Sequence, residues 1–454
     1  MNTPICDFVK RYQERDTLRL HMPGHKGRPF LGIEQMDLTE IAGADELYHP
    51  NGIIRESEEN AAALFGAGRT VYSTEGSSLC IRAMVYLALL NGRSRGRKAL
   101  ILAGRNAHKA FLSAAALLDT QVEWLYPQKE NSLISCNIDE QTLEHALDAL
   151  PDLPAAVYIT TPDYLGNLVD VRLLAAVCHR HGVPLLVDNA HGSYLRFLSK
   201  DRHPITLGAD LCCDSAHKTL PVLTGGAYLH ISKNAPDIFR SQADRAMALF
   251  ASTSPSYLIM QSLDACNAYL ADGYREKLAV LAERTAEMKG RLQKHGYAMV
   301  GDEPIKLTLM PKTFGYTGDE LHRLLRMQNM EWEFSDPDFL TAMLTPSFTV
   351  EDMNRLETAL LGVSRKKAIA AQPPALPHPQ RVLSMREAAM ASSREMPVDD
   401  ALGRILADAH VGCPPCIPII AWGERIDEDA LRCFRYYGID TCWVAEQNRC
   451  NNTT

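Results

Sequence analysis

The chain has 454 residues, 46% of them hydrophobic and 22% charged, and its 47 Lys plus Arg against 55 Asp plus Glu leave a net charge of −8. That mild acidity excludes an electrostatic footprint for nucleic acid or an anionic membrane surface, and no apolar run approaches the roughly 20 residues of a membrane span. The opening MNTPICDFVKRYQERD lacks the apolar core of a secretory leader, so the cytoplasm is the expected location.

Between residues 60 and 230, short strand-like runs alternate with amphipathic helical patterns. KALILAG, AVYITT, VPLLVD and GGAYLHI are short, apolar and bounded by turn residues, whereas SLCIRAMVYLALLNG and VDVRLLAAVCHRHG carry a helical repeat. Strands alternating with helices predict βαβ units and an α/β fold with a mostly parallel sheet. Such sheets bind ligands in the loops beyond the carboxyl ends of their strands. The polar clusters fall there: RNAHK after KALILAG, TTPDYLG after AVYI, DNAHG after VPLLV and DSAHK after ADLCC. Together they predict one active site at one sheet edge. Residues 255–300 read as largely helical, and 301–365 mix short strands and helices as a smaller α+β lobe would. AIAAQPPALPHPQRV, rich in Ala and Pro, reads as a linker. The expected organisation is a major region over 1–367 with its small lobe from about 300, a linker over 368–382 and a C-terminal domain over 383–454.

The twelve cysteines are scattered, and those in apolar runs, such as Cys178, Cys212 and Cys213, read as small buried hydrophobes. Cys413-Pro-Pro-Cys416 could be half a zinc site or a redox pair. Its other half is missing, because Cys433 and Cys442 are nine residues apart rather than three. No metal is expected.

Lys218, in CDSAHKTLPVLTGG, stands where a buried strand gives way to a glycine-ended loop. A strand-end lysine usually reaches to solvent, but the neighbours of this one suggest chemistry. An amine forms a Schiff base with a carbonyl, and a resident carbonyl of enzymes is the aldehyde of pyridoxal 5'-phosphate. That cofactor needs a lysine, a phosphate cradle, a group on one ring face and an acid at the pyridine nitrogen. In STEGSSLCIRAM, Ser77 and Ser78 open an apolar helix whose first N–H groups and hydroxyls suit an anion. Asp188 ends VPLLVD and offers the acid, and His108 in RNAHK offers a flat imidazole. Taken singly, each has a plainer reading as a helix cap, a turn-capping Asp or a loop histidine.

The order glycine-serine loop, stacking group, Asp, then lysine resembles the aspartate-aminotransferase fold, fold type I of the pyridoxal phosphate enzymes. LRLHMPGHKG, DELYHPNG, RNAHK, TTPDYLG, VDNAHG, SAHKTLPVLT and STSPSYLIMQSLDA, in this order over residues 18–265, resemble the Orn/Lys/Arg decarboxylase family more closely. The tail GCPPCIPIIAWGE resembles the PPGIP segment of its C-terminal domain, and the chain resembles the shorter biosynthetic type without a response-regulator-like front domain. The resemblance implies a pyridoxal phosphate-dependent decarboxylase that converts arginine, lysine or ornithine to the amine and carbon dioxide for polyamine metabolism. It assigns Lys218 as the Schiff-base lysine with His217 beside it, Asp188 as the pyridinium partner and His108 as the stacking group. Ser77, Ser78 and Ser215 match phosphate-side residues, and Gly76, Ala190 and His191 complete the cofactor contacts. Ser252, in STSPSY, falls where the family brings a hydroxyl from a second subunit, so a homodimer or larger homo-oligomer is expected. His217 and Lys218 are both candidates for returning the proton to Cα.

Three positions depart from the family pattern: Asn189 where Glu is common, Gly225 where Gln is frequent, and Cys416 where glycine is usual. The core chemistry is untouched by them. Transamination or elimination, and a homologue that binds the cofactor without turnover, remain as alternatives. A basic substrate needs a carboxylate for its distal charge, and Glu333 in WEFSDPD and Glu424 in IIAWGE are the candidates. The short type favours arginine.

Overall fold

The chain starts with helix α1 (Pro4–Glu14), followed by residues 15–52 without helix or strand. Then come α2 (Ile53–Phe65), β1 (Arg69–Ser73), α3 (Gly76–Ser94), β2 (Leu100–Gly104), α4 (Lys109–Leu117), β3 (Gln121–Leu125), α5 (Glu140–Ala149), β4 (Ala156–Thr160), α6 (Val171–Arg180), β5 (Leu185–Asp188), β6 (Leu211–Asp214) and β7 (Ala227–Ile231). The seven strands form one sheet in the order β1-β7-β6-β5-β4-β2-β3. The run β6-β5-β4-β2-β3 is parallel, and β7 is antiparallel to both its neighbours. This computed structural model describes residues 1–127, 132–409 and 416–446.

The sheet is mostly parallel, as the alternation of patterns predicts, and its central strands show why. LLVD in β5, LCCD in β6 and AYLHI in β7 are buried at every position, as strands covered on both faces must be. Helix α6 turns Val171, Leu174, Ala175, Val177 and Cys178 inward, and Asp170 caps it by accepting from the Arg172 and Leu173 N–H groups. Strands β1 and β3, RTVYS and QVEWL, are additions to the five strands read from the sequence, of which ADLCC is β6. Cys178, Cys212 and Cys213 are wholly buried core residues.

Two long helices, Tyr257–Ala271 and Tyr274–His295, lead to a second sheet of β8 (Ala298–Val300), β9 (Lys306–Met310), β10 (Phe334–Ser335) and β11 (Leu340–Met343). It is antiparallel, in the order β10-β11-β9-β8. Residues 364–380 have neither helix nor strand. A third sheet follows, β12 (Ser393–Pro397), β13 (Leu406–Ala409) and β14 (Thr441–Ala445), with β14 central. It packs with the helix Glu428–Tyr436 around its own cluster, which includes Leu406, Ile420, Leu431, Phe434 and Val444. Residues 18–36 behave differently from the rest. Leu20 and Phe30 on this arm are 84% and 90% exposed, yet the arm is internally ordered, since Arg19 donates to the carbonyls of Glu34, Gln35 and Asp37.

Candidate active site

The carboxyl ends of β2, β4, β5 and β6 carry the loops RNAHK, TPDYLG, NAHG and SAHK, and parallel pairing sets all of them at one edge of the sheet. They enclose a cavity of about 370 Å³ lined by Gly76, Ser77, Ser78, His108, Asp188, Ala190, His191, Ser215, His217 and Lys218. Every candidate for holding the cofactor is therefore on this cavity except Ser252, and neither candidate substrate carboxylate, Glu333 or Glu424, lines it.

Lys218 lies on the single helical turn Ala216–Thr219 that follows β6. Its Nζ is 3.0 Å from His191 Nε2 and 5.9 Å from the centre of the Tyr164 ring. Asp188, 1% exposed at the end of β5, accepts from the Tyr158 hydroxyl at 3.1 Å and from the Ala190 N–H at 3.2 Å. A carboxylate held this way keeps its position and still faces the cavity. His108 caps α4, its Nδ1 accepting from the Ala110 N–H at 3.0 Å. Burial outweighs the pull of Asp188 and lowers its pKa, so its ring is neutral and fixed in plane by its own cap. His217 Nδ1 lies 3.0 Å from the Gly226 carbonyl and donates to it, and burial lowers this pKa as well.

On the opposite wall, α3 starts at Gly76 with no side chain capping its first turn. The Ser215 hydroxyl meets Ser77 Oγ at 2.8 Å. Gly225 makes this wall possible. It holds φ +99°, an added Cβ would lie 2.8 Å from the Thr74 carbonyl, and its own carbonyl accepts from the Gly76 N–H. The frequent Gln could not occupy this backbone without moving the loop.

His191 is the most constrained group. It is buried, with Lys218 at Nε2, Lys306 Nζ 3.4 Å from Nδ1, and the Tyr164 ring edge-on at 4.6 Å. Burial, first of all, holds its pKa well below the ordinary histidine value. Lys306 comes from β9 of the second sheet and pairs with buried Glu303, which also accepts from the Tyr194 hydroxyl. Asn189, next to Asp188, points away from the cavity and donates to Asp214 at 2.7 Å. Asp214 also takes the His203 Nε2 proton at 3.0 Å, with His230 at 3.5 Å. Burial would raise this carboxyl, but the two histidines hold it low. A glutamate at 189 would set a second buried carboxylate against Asp214, which accounts for the amide here. These three residues are spaced as metal ligands could be. However, His203 Nδ1 accepts from the Ile205 N–H, so its Nε2 bears the proton and has no lone pair to give.

Ser252, Glu424, Glu333 and Cys416 take these places. Ser252 is exposed, its N–H donating to Glu75 on the cavity rim. Glu424 is not on the cavity: it accepts from the Ala421 N–H and lies 3.8 Å from Arg105, both partners buried with it. Its carboxylate is used to fasten the C-terminal segment. Arg105 donates to the carbonyls of Pro418 and Ile419, and the Lys109 N–H to that of Cys416. Glu333 stands one residue behind the wall, accepting from the Tyr164 hydroxyl at 2.7 Å. Cys416 lines the cavity with φ +55°, a backbone that glycine adopts more readily; Cys413 lies outside the described residues. Asn106, Tyr164 and Glu75 line the cavity without having been singled out, although RNAHK and TTPDYLG were the right clusters. The residues fit pyridoxal 5'-phosphate. An uncapped helix start with serine hydroxyls suits the phosphate, and the buried Asn106 Nδ2 on the cavity wall is unpartnered among the described residues.

The Orn/Lys/Arg decarboxylase major-domain family matches residues 3–354. An arginine decarboxylase of Halalkalibacterium halodurans is 30% identical, over 95% of this chain and 93% of its own length. One of Bacillus subtilis is 30% identical, over 94% and 92%. Among solved structures, the constitutive lysine decarboxylase of E. coli superposes with a TM-score of 0.77 at 16% identity, covering 98% of this chain and 82% of that one.

Proposed function

The chain belongs to the Orn/Lys/Arg decarboxylase family, and from that premise we propose that it converts arginine to agmatine and carbon dioxide, as a cytoplasmic homodimer serving polyamine synthesis. It is a pyridoxal phosphate-dependent decarboxylase acting on a basic amino acid. The reading rests on one observation: Lys218, Asp188, His108 and the Ser77–Ser215 pair converge on a single cavity.

When bound, the cofactor supplies an aldehyde for the substrate amine and a ring that takes up the electron pair left by departing carbon dioxide. Lys218 would anchor it through its amine and release it to the substrate amine. Asp188 would pair with the pyridine nitrogen and favour its protonated form, the state in which the ring accepts electrons most readily. His108 presents a neutral imidazole face, and the start of α3 with Ser77, Ser78 and Ser215 holds the phosphate. Gly76, Ala190 and His191 shape the remaining contacts, and Ser252 reaches the phosphate side of the partner's site. Lys218 or His217 returns a proton to Cα. Glu333, set behind Tyr164, is the carboxylate for the guanidinium, which two oxygens suit better than one. The relatives named as arginine decarboxylases run nearly end to end with this chain.

The test is to incubate the holoenzyme separately with arginine, lysine and ornithine and measure carbon dioxide and amine. Release from arginine above the other two is expected. Turnover of a neutral amino acid alone, or a keto acid product, would defeat the reading.

A further inference from the structure

We propose that Lys306, from the second sheet, is a positioning residue that sets the tautomer of His191 and thereby holds the Lys218 nitrogen as a hydrogen-bond acceptor, the form that can attack an aldehyde. A neutral imidazole has one protonated and one bare nitrogen. Lys306 Nζ, 3.4 Å from Nδ1, is itself a donor and a cation, so a proton on Nδ1 would point at a positive charge. The proton is therefore on Nε2, directed at Lys218 Nζ, 3.0 Å away. To accept it, Lys218 must offer its lone pair.

Lys306 is suited to the part. It is 3% exposed and forms an ion pair with Glu303, itself 1% exposed. It also donates to the Asp163 carbonyl at 3.3 Å. Glu303 is in turn fixed by the Tyr194 hydroxyl at 2.8 Å, and the Lys289 ammonium donates to its backbone carbonyl at 3.0 Å. Gly166, at φ +90°, lets the pair come close, since a Cβ there would lie 3.1 Å from Lys306 Cδ. The other titratable groups around His191 and Lys218 are His108, His217, Asp188, Tyr164, Asp163 and Glu333. The lowered pKa of His191 agrees with a ring kept neutral between two lysines.

The step served is capture of the cofactor: the Lys218 lone pair adds to the aldehyde carbon, the nitrogen gives up two protons, and the carbonyl oxygen leaves as water. The inference rests on Lys218 being the anchoring lysine. The test uses full-length, cofactor-stripped protein, with borohydride trapping of pyridoxal phosphate and peptide mass spectrometry to place the label. If wild type is labelled elsewhere at every pH, the anchoring assignment fails. With the label on Lys218, the variant Lys306→Met/Glu303→Gln, which removes both buried charges together, decides the inference. Its capture rate near neutrality should fall about tenfold and recover about one pH unit higher. Its affinity for pyridoxamine phosphate, which has no aldehyde, should stay unchanged. An unshifted pH profile overturns the proposal, whatever happens to affinity. Should the variant not fold, neutron diffraction of the cofactor-free wild type decides: a deuteron on His191 Nε2 supports the proposal, and one on Nδ1 overturns it.

Discussion

Asp188 takes its position from the end of one fully buried strand, and Lys218 from the single helical turn that follows the next. Lys218→Ala should keep the cofactor loosely through the start of α3, lose the yellow colour of covalently held cofactor, and lower turnover by roughly a hundredfold to ten-thousandfold. Absorbance and initial rates check this. Asn189 makes a sharper case. Asn189→Glu should destabilise the fold by about 3 kcal/mol by facing buried Asp214 with a like charge, and adding Asp214→Gln should restore most of the loss, as urea unfolding would report. Residues such as Lys218, Asp188 and His108 are legible in the sequence because strand ends show as polar residues closing apolar runs. Asn189 and Asp214 are legible as residues but not as partners, since 25 positions separate them and only the pairing of β5 with β6 brings them together.

Among the elements, the α2–β1 junction carries a pH dependence. Glu58 on α2 accepts from the Tyr72 N–H of β1 at 3.0 Å and is 1% exposed. Burial pushes its pKa up to about 8 against the pull of that N–H and of Arg55. The folded state therefore holds a proton that the unfolded chain releases above its ordinary value of 4.5. This contribution to stability is fully present below 4.5, declines as the pH rises, and is gone above about 8. Glu58→Gln should match wild type in thermal midpoint near pH 4.5 and exceed it near pH 8. The helix and strand pattern of the large sheet is legible because its buried strands are continuous apolar runs and its helices repeat cleanly. The antiparallel turn of β7 is not, since AYLHI reads the same in either direction. Glu424 was misleading for a related reason. A glutamate in a polar-looking tail suggests a free charge, whereas here Arg105, 319 positions earlier, takes it up.

For the whole molecule, the arm over residues 18–36 poses the question of assembly. Leu20 and Phe30 stand 84% and 90% exposed on an ordered segment, with Leu18, Met22 and Leu31 of the same arm exposed as well, and a cluster of exposed apolar side chains is the mark of a contact surface. If a second copy covers it, as the proposed dimer requires, Leu20→Asp with Phe30→Asp should convert dimer to monomer in sedimentation and, if Ser252 serves the partner's site, weaken cofactor retention. A wild type that is active as a monomer would refute the dimer. The cavity takes part of its wall from far along the chain: Cys416 and Ile417 line it, held by Arg105 and the Lys109 N–H. During synthesis the sheet edge bearing Lys218 leaves the ribosome some two hundred residues before that wall exists. For that interval Lys218, Asp188 and His108 stand at a sheet edge whose Cys416 and Ile417 wall is still to come, so a cofactor that arrives during synthesis would meet a wider site than one that arrives after it.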